Sequence, residues 1–263
     1  MTTAKPPPHD HHEAMGRQWD VEASAPVLFL HGVGLSAGAW RPWYPVFIAD
    51  FAILAPDLRG HGQARTAWNE DPRLDDFVDD VEAVLRAHGY GACHIVGESF
   101  GGTVGIAFAR RHAEMVRSLT LVSTPYDGRR IATLEEWPAL VQSGEWPRWM
   151  AERRLGEAVD GRLFDWLTGQ HAAALPAAVL GVARLLRELD LRTTLNALEC
   201  PALVISPSHS AFLKTDAAKA MHAALGKSGT PEIAYIAGGP HGIFLTHAEA
   251  CARLTRSFIG RRG

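Results

Sequence analysis

Short apolar segments alternate with amphipathic ones along most of this 263-residue chain, and the alternation limits the folds open to it. Two stretches, residues 75–87 and 247–259, carry their apolar side chains along one stripe, as amphipathic helices do. Six runs stay apolar on both faces and predict buried strands: residues 27–32, 51–57, 93–99, 119–124, 202–206 and 232–238. Strands that alternate with helices predict an α/β protein, with a mostly parallel sheet and helices on both of its faces.

The segment of residues 128–196 interrupts this alternation, because it contains helical patches with large apolar side chains and no convincing strand. Such an insertion between two strands predicts a helical cap over the carboxyl edge of the sheet, where ligands bind in open α/β sheets. The predicted organisation is a flexible N-terminal arm (1–14), a core (15–127 and 197–263) and a cap (128–196). Three cap residues are candidates for binding substrate, although most aromatic side chains here would pack the cap's own core: Trp137, Trp146 and Trp149.

The composition excludes some classes of partner. A formal net charge of −3 gives no electrostatic reason to expect nucleic acid or an anionic membrane surface. No apolar segment approaches the roughly 18 to 20 residues that span a bilayer, and the N-terminus lacks the apolar core of a signal peptide. The three cysteines lie in or beside apolar runs and predict buried free thiols, which suit a reducing cytosol. We expect a cytoplasmic monomer or homodimer that binds a small molecule.

The stretch "HIVGESFGGTVGIAFARR", residues 94–111, carries the clearest chemical signal. A buried strand runs through Gly97 to Ser99 and then, past Gly101, directly into a helix. The G-x-S-x-G spacing allows a tight, strained turn that pushes the serine hydroxyl out of the sheet. The hydroxyl would then lie at the positive end of the helix dipole, beside free backbone N–H groups. The pattern predicts Ser99 as a nucleophile, with a structural serine as the alternative.

A serine hydroxyl is a weak nucleophile at neutral pH and needs a base. Among the 13 histidines, His241 in "IAGGPHGIF" follows the last predicted strand on a glycine-rich loop. That loop would bring an imidazole to the same sheet edge as Ser99. In "LHGVG", after the first strand, the glycines predict close approach of the backbone. The N–H of Val33 there, together with the N–H of Phe100, could hold a developing oxyanion.

Four motifs, "FLHGVG", "PDLRGHG", "VGESFGG" and "GGPHGIF", occur in an order and at separations that resemble the α/β-hydrolase superfamily. The resemblance covers roughly residues 15–260. It is to the helical-cap branch, which contains enol-lactonases, esterases, proline iminopeptidases, carbon–carbon bond hydrolases and cofactor-free haloperoxidases. It implies a sheet of about eight strands with the cap inserted after the sixth strand, and no metal or organic cofactor. It also implies a nucleophile, a general base and acid, and two oxyanion donors: Ser99, His241, and Val33 with Phe100.

The third catalytic residue of this superfamily, an acid that orients the histidine, is missing from its usual places. The resemblance puts the acid at Ser210, in "LVISPSHSAFLK", or at about Ser123, and both are serines. The nearest carboxylate is Asp127, which a modest shift of its loop would bring under the histidine. Asp127 is therefore the candidate acid, with a turn residue or an arginine partner as the alternative reading. The other alternative is a Ser–His dyad, in which Ser210, Ser208 or a water accepts from the imidazole.

Two polar residues near these motifs receive different interpretations. Glu98 is interpreted as a structural residue that points away from Ser99, and His209 is a candidate substrate contact.

The whole pattern predicts a serine hydrolase that cleaves a small, mostly apolar carboxylic ester or lactone through an acyl-enzyme on Ser99. The alternatives are a carbon–carbon hydrolase, lyase or acyltransferase with a weakened triad, and a ligand-binding protein that has lost catalysis.

Overall fold

A computed structural model of the protein describes residues 12–15, 25–156, 160–226 and 231–261. Within these residues seven strands form one sheet in the order β1-β3-β2-β4-β5-β6-β7. The strands are β1 (His12–Met15), β2 (Val27–Leu30), β3 (Ile53–Pro56), β4 (Cys93–Glu98), β5 (Val116–Val122), β6 (Ala202–Pro207) and β7 (Glu232–Ile236). Strands β2 to β7 are parallel to their neighbours, whereas β1 pairs antiparallel with β3 at the edge.

Helices cover both faces of the sheet. The described α-helices are α1 (Tyr44–Phe47), α2 (Leu74–Ala87), α3 (Phe100–Arg111), α4 (Trp137–Ser143), α5 (Trp146–Leu155), α6 (Gly161–Ala173), α7 (Pro176–Arg187), α8 (Arg192–Asn196), α9 (Ala217–Ala224), α10 (Ile243–Thr246) and α11 (Ala248–Gly260). Alternate residues of the central strands pack against opposite layers. Leu28 and Leu30 lie in the cluster that contains α2 and α3, whereas Val27 and Phe29 lie in the cluster that contains α10 and α11. Both faces are therefore apolar, as continuous apolar strands require.

Helices α4 to α8 lie between β5 and β6, which confirms the α/β fold and the helical insertion. The predicted strand count differs in detail, because the described residues contain seven strands and the insertion follows the fifth of them. The predicted arm overlaps β1 at residues 12–14, and its residues 1–11 lie outside the described part. In the part of the chain that the structure describes, no helix is long and apolar enough to cross a bilayer.

Candidate active site

Ser99 occupies a strained turn between β4 and α3. Its φ of 50° and ψ of −121° lie in a region that residues other than glycine rarely adopt. The flanking glycines permit the turn, since a Cβ at Gly97 would overlap the backbone of Gly102 and one at Gly101 would overlap the carbonyl oxygen of Leu30. The chain therefore needs both glycines of the motif for close packing of α3 against the sheet.

Two backbone N–H groups lie beside this turn. Val33 is in the loop after β2, and Phe100 is the first residue of α3. Both residues are buried, and neither N–H donates to a backbone carbonyl among the described residues. Unpaired donors at the positive end of a helix are suited to an oxyanion.

His241 lies on the loop between β7 and α10 and is buried. Its Nδ1 is 3.0 Å from the Ser210 hydroxyl oxygen. Burial and then the positive charge of Arg154 lower the pKa of His241 well below 6.5, so the ring is neutral at pH 7. Ser99 and His241 line the same cavity. No hydrogen bond joins the Ser99 hydroxyl to His241 in the described structure.

The structure does not bring Asp127 to His241. One carboxylate oxygen of Asp127 accepts from Arg129 Nε at 2.9 Å, and the other accepts from Arg129 Nη2 at 2.7 Å. These hydrogen bonds lower the pKa of the Asp127 carboxyl. The backbone explains the placement, because Gly128 N–H donates to the Leu189 carbonyl at 2.8 Å and ties this loop to the end of α7. The described partner of His241 Nδ1 is Ser210 rather than a carboxylate.

Asp127→Asn is therefore expected to change the rate of p-nitrophenyl butyrate hydrolysis by less than about fivefold. Its main ion pair reaches the exposed Arg129 guanidinium, and ion pairs to exposed groups contribute little to stability. Initial rates and thermal unfolding of the variant measure both effects, with Asp190→Asn, which breaks the neighbouring pair with Arg192, as the matched control. A fall of 100-fold or more without loss of stability would restore Asp127 as the acid.

Ser123, at the second place for the acid, also contacts the histidine. Its φ is 49°, and its hydroxyl donates to the His241 carbonyl oxygen at 2.8 Å. Serine hydroxyls at both acid positions thus hold His241, one at the ring and the other at the backbone.

Glu98, interpreted from the sequence as a structural residue that points away from Ser99, has its carboxylate close to His241. Its carboxylate is fully buried, and Oε1 lies 3.7 Å from His241 Nε2. The same oxygen accepts from Arg154 Nη1 at 2.6 Å. Burial raises the pKa of Glu98, and the Arg154 guanidinium opposes that change. Gly32, in the loop after β2, makes room for this carboxylate, because a Cβ there would overlap Glu98 Oε2.

Arg154 is the functional candidate that sequence reasoning missed. It comes from α5 in the cap and is 2% exposed. Besides Glu98, it contacts the carbonyl oxygen of Val33 at 3.4 Å, and its own carbonyl accepts from Gly242 N–H at 2.7 Å. A glutamate on a buried strand signals the need for a cation, but no pattern in the sequence indicates which arginine supplies it.

The cavity beside Ser99 has a volume of only about 20 Å³, roughly the space for one water. Apart from Arg154 and His241 its walls are mainly apolar, with six large side chains among them: Ile131, Leu134, Trp137, Met150, Leu186 and Phe212. A ligand larger than water can reach Ser99 only if some of these residues move.

Of the predicted substrate contacts, only Trp137 lines this cavity in the described structure. Trp146 packs between Trp137 and His171, with ring centroids 5.7 and 5.2 Å away. Trp149 packs on Phe212, a wall residue, at 5.9 Å. His209 is exposed on an outer groove, where its Nδ1 lies 3.0 Å from the hydroxyl of Ser208.

Comparisons with known proteins indicate the family of this chain. The sequence model of the alpha/beta hydrolase fold family matches residues 25–172. A pimeloyl-[acyl-carrier protein] methyl ester esterase of Chromobacterium violaceum is 29% identical over 250 residues, covering 86% of this chain and 91% of the relative. An (E)-2-((N-methylformamido)methylene)succinate hydrolase of Acinetobacter baylyi is 26% identical over 189 residues, covering 69% of this chain and 71% of the relative.

The solved structure of the enol-lactonase from Burkholderia xenovorans superimposes with a TM-score of 0.83 at 19% identity, covering 95% of this chain and 96% of that one. At this identity the likeness shows the fold alone. The family match is stronger, because it covers more than half of the chain and includes both the Ser99 turn and the Val33 loop. The chain therefore belongs to the alpha/beta hydrolase fold family.

Proposed function

We propose that this protein is a serine hydrolase that cleaves a small, mostly apolar carboxylic ester or lactone through an acyl-enzyme on Ser99. The observation that carries the proposal is the shared cavity of Ser99 and His241, set in apolar walls beside two unpaired N–H groups. The names of the similar Chromobacterium and Burkholderia proteins also refer to ester bonds.

In the proposed reaction the Ser99 hydroxyl oxygen attacks the carbonyl carbon, and His241 Nε2 takes the hydroxyl proton. The carbonyl electron pair moves onto oxygen, where the Val33 and Phe100 N–H groups hold the negative charge. Collapse of this intermediate expels the alcohol oxygen, which takes the proton from His241, and water then repeats the sequence to release the acid. The neutral state of His241 at pH 7 is the one that accepts a proton, provided that Nε2 is not already protonated.

A carbon–carbon hydrolase, lyase or acyltransferase is the second candidate, and the contact of His241 Nδ1 with a hydroxyl favours it. A hydroxyl stabilises imidazolium less than a carboxylate does. In reactions in which the histidine carries less positive charge, the absence of the acid therefore lowers the rate less. Comparing hydrolysis of p-nitrophenyl esters with that of 1,3-diketones, whose cleavage breaks a carbon–carbon bond, separates these candidates.

A fluorophosphonate probe tests the nucleophile directly. Wild-type protein is expected to be labelled, and Ser99→Ala is expected to lose the label completely, because no other hydroxyl of the described site lies at the end of a helix dipole. Ser208→Ala, on the outer groove, is the control and keeps the label. Absence of label on wild type, or equal labelling of Ser99→Ala, would refute the hydrolase and leave a ligand-binding protein.

A further inference from the structure

Among the described residues the Ser210 hydroxyl has three polar neighbours, and they determine which of them receives its proton. Its oxygen accepts from Leu213 N–H at 2.9 Å and from Phe212 N–H at 3.2 Å. The third neighbour is His241 Nδ1 at 3.0 Å. A serine hydroxyl has two lone pairs that accept and one proton that it donates. The two backbone N–H groups occupy both lone pairs, so only the proton remains for the imidazole.

We infer that Ser210 donates its proton to His241 Nδ1 and thereby holds the resting imidazole as the tautomer with its proton on Nε2. Nδ1 must be unprotonated to accept, and a neutral imidazole then carries its one proton on the other nitrogen. Ser210 is a positioning residue in this arrangement. Its hydrogen bond to Nδ1 runs in the opposite direction to that of the missing aspartate, because Ser210 donates a proton where an aspartate would accept one.

The surroundings of Nε2 favour the same tautomer. Glu98 Oε1 lies 3.7 Å away, and a carboxylate only accepts, so it attracts a proton on this nitrogen. Arg154, the other charged group near the ring, pairs with Glu98 and carries no acceptor. Each ring nitrogen therefore faces a group that suits a proton on Nε2.

This inference rests on the proposed function and narrows its substrate class. With Nε2 protonated, His241 cannot take the proton of Ser99 until the ring proton moves to Nδ1, where Ser210 has no lone pair left. In a serine protease the wrong tautomer costs about 10⁴-fold in kcat. The imidazolium that would protonate a leaving oxygen is scarce for the same reason. The substrates that suit such a site are acyl compounds whose leaving group departs as a stable anion, such as a phenolate or a thiolate.

In that acylation the bond from Ser99 oxygen to the carbonyl carbon forms, and the bond from that carbon to the leaving atom breaks. The leaving group takes the electron pair of the broken bond. Because Nε2 already carries a proton, the Ser99 proton passes to solvent water, where it balances the charge of the departing anion.

Long-range ¹H–¹⁵N correlation spectra of histidine-labelled protein report the tautomer without any substrate. The His241 signals are assigned by their loss in His241→Gln. We expect the proton on Nε2 in wild type and in Ser208→Ala, the matched loss of a hydroxyl that contacts a different histidine. In Ser210→Asp, where the new side chain only accepts, we expect the proton on Nδ1. A proton on Nδ1 of His241 in the wild-type protein overturns the inference. The wild-type spectrum alone decides this, even if the Ser210 variant does not fold.

Rates for p-nitrophenyl, phenyl and ethyl butyrate test the narrowed substrate class. The ratio of kcat/KM for the nitrophenyl ester to that for the ethyl ester is expected to fall at least about tenfold in Ser210→Asp. An unchanged ratio overturns the narrowed class. Failure of the fluorophosphonate to label Ser99 refutes the proposed function instead. The NMR measurement of the His241 tautomer does not depend on the result of that labelling.

Discussion

Ser210→Asp is expected to raise kcat/KM for p-nitrophenyl butyrate by about 100-fold, a gain of function from one substitution. The turn can accommodate an aspartate. The Phe212 and Leu213 N–H groups that donate to the Ser210 hydroxyl can donate to one carboxylate oxygen in its place. The other oxygen would then accept from His241 Nδ1 and stabilise imidazolium. An orienting carboxylate increases kcat by about 10⁴-fold in a serine protease, and we expect part of that gain from a single substitution in this loop.

The pH dependence of kcat/KM shows whether the gain in Ser210→Asp comes from the charge of the new carboxylate or from a general change in the site. Burial and Arg154 keep the pKa of wild-type His241 well below 6.5, so its base form persists at a lower pH than that of an ordinary histidine. A carboxylate at position 210 would raise that pKa, and the acid limb of kcat/KM should move to higher pH. Ser210→Asn, which adds an acceptor without a charge, is the matched control. Equal gains in both variants, or a gain without a shift of the acid limb, would contradict the role assigned to the charge.

Arg154→Met is expected to lower the free energy of unfolding by about 3 to 5 kcal/mol. The substitution leaves the fully buried Glu98 carboxylate without the cation that lies 2.6 Å from it. Chemical denaturation of the variant measures the loss. Arg153→Met is the matched control, since that neighbouring side chain is exposed and stacks on Trp149 at 4.4 Å. We expect the control to cost about 1 kcal/mol or less.

Removing the unpaired charge of Glu98 should recover most of the free energy of unfolding that Arg154→Met loses. In Arg154→Met with Glu98→Gln no charge remains to be buried, so the double variant should be more stable than Arg154→Met alone. Without Arg154, the pKa of Glu98 in the folded protein should rise further above its ordinary value of 4.5. Between the two pKa values the folded chain then binds more protons than the unfolded chain, and its stability falls as pH rises. Equal losses at pH 5 and pH 8 would contradict this account.

Much of the fold could be read from the sequence, because hydrophobic periodicity reports burial directly. Residues 27–32 and 93–99 are apolar on both faces, and the matching strands β2 and β4 lie inside the sheet. The break in alternation after residue 128 likewise marked the insertion of α4 to α8. The edge strand β1 was missed, since His12–Met15 is short and carries no apolar run.

The candidate site was predictable where it depends on backbone geometry and not where it depends on side-chain partners. Ser99 and His241 follow from glycine spacing and their position after strands. The direction of Glu98 does not, because its carboxylate turns toward a cation that comes from a distant part of the chain. Asp127 is the carboxylate nearest in sequence to the second place for the acid, but Arg129, two residues away, pairs with it instead.

Arg154 joins the cap to three separate loops: the turn of Ser99 through Glu98, the loop of Val33, and the loop of His241 through Gly242. Moving α5 aside to admit an acyl group would therefore break all three contacts together. An open molecule would hold its substrate without an assembled catalytic site, and only closure would rebuild one. Substrate entry and chemistry would then take place in different conformations, so the turnover rate would depend on how often the cap closes on a correctly bound substrate.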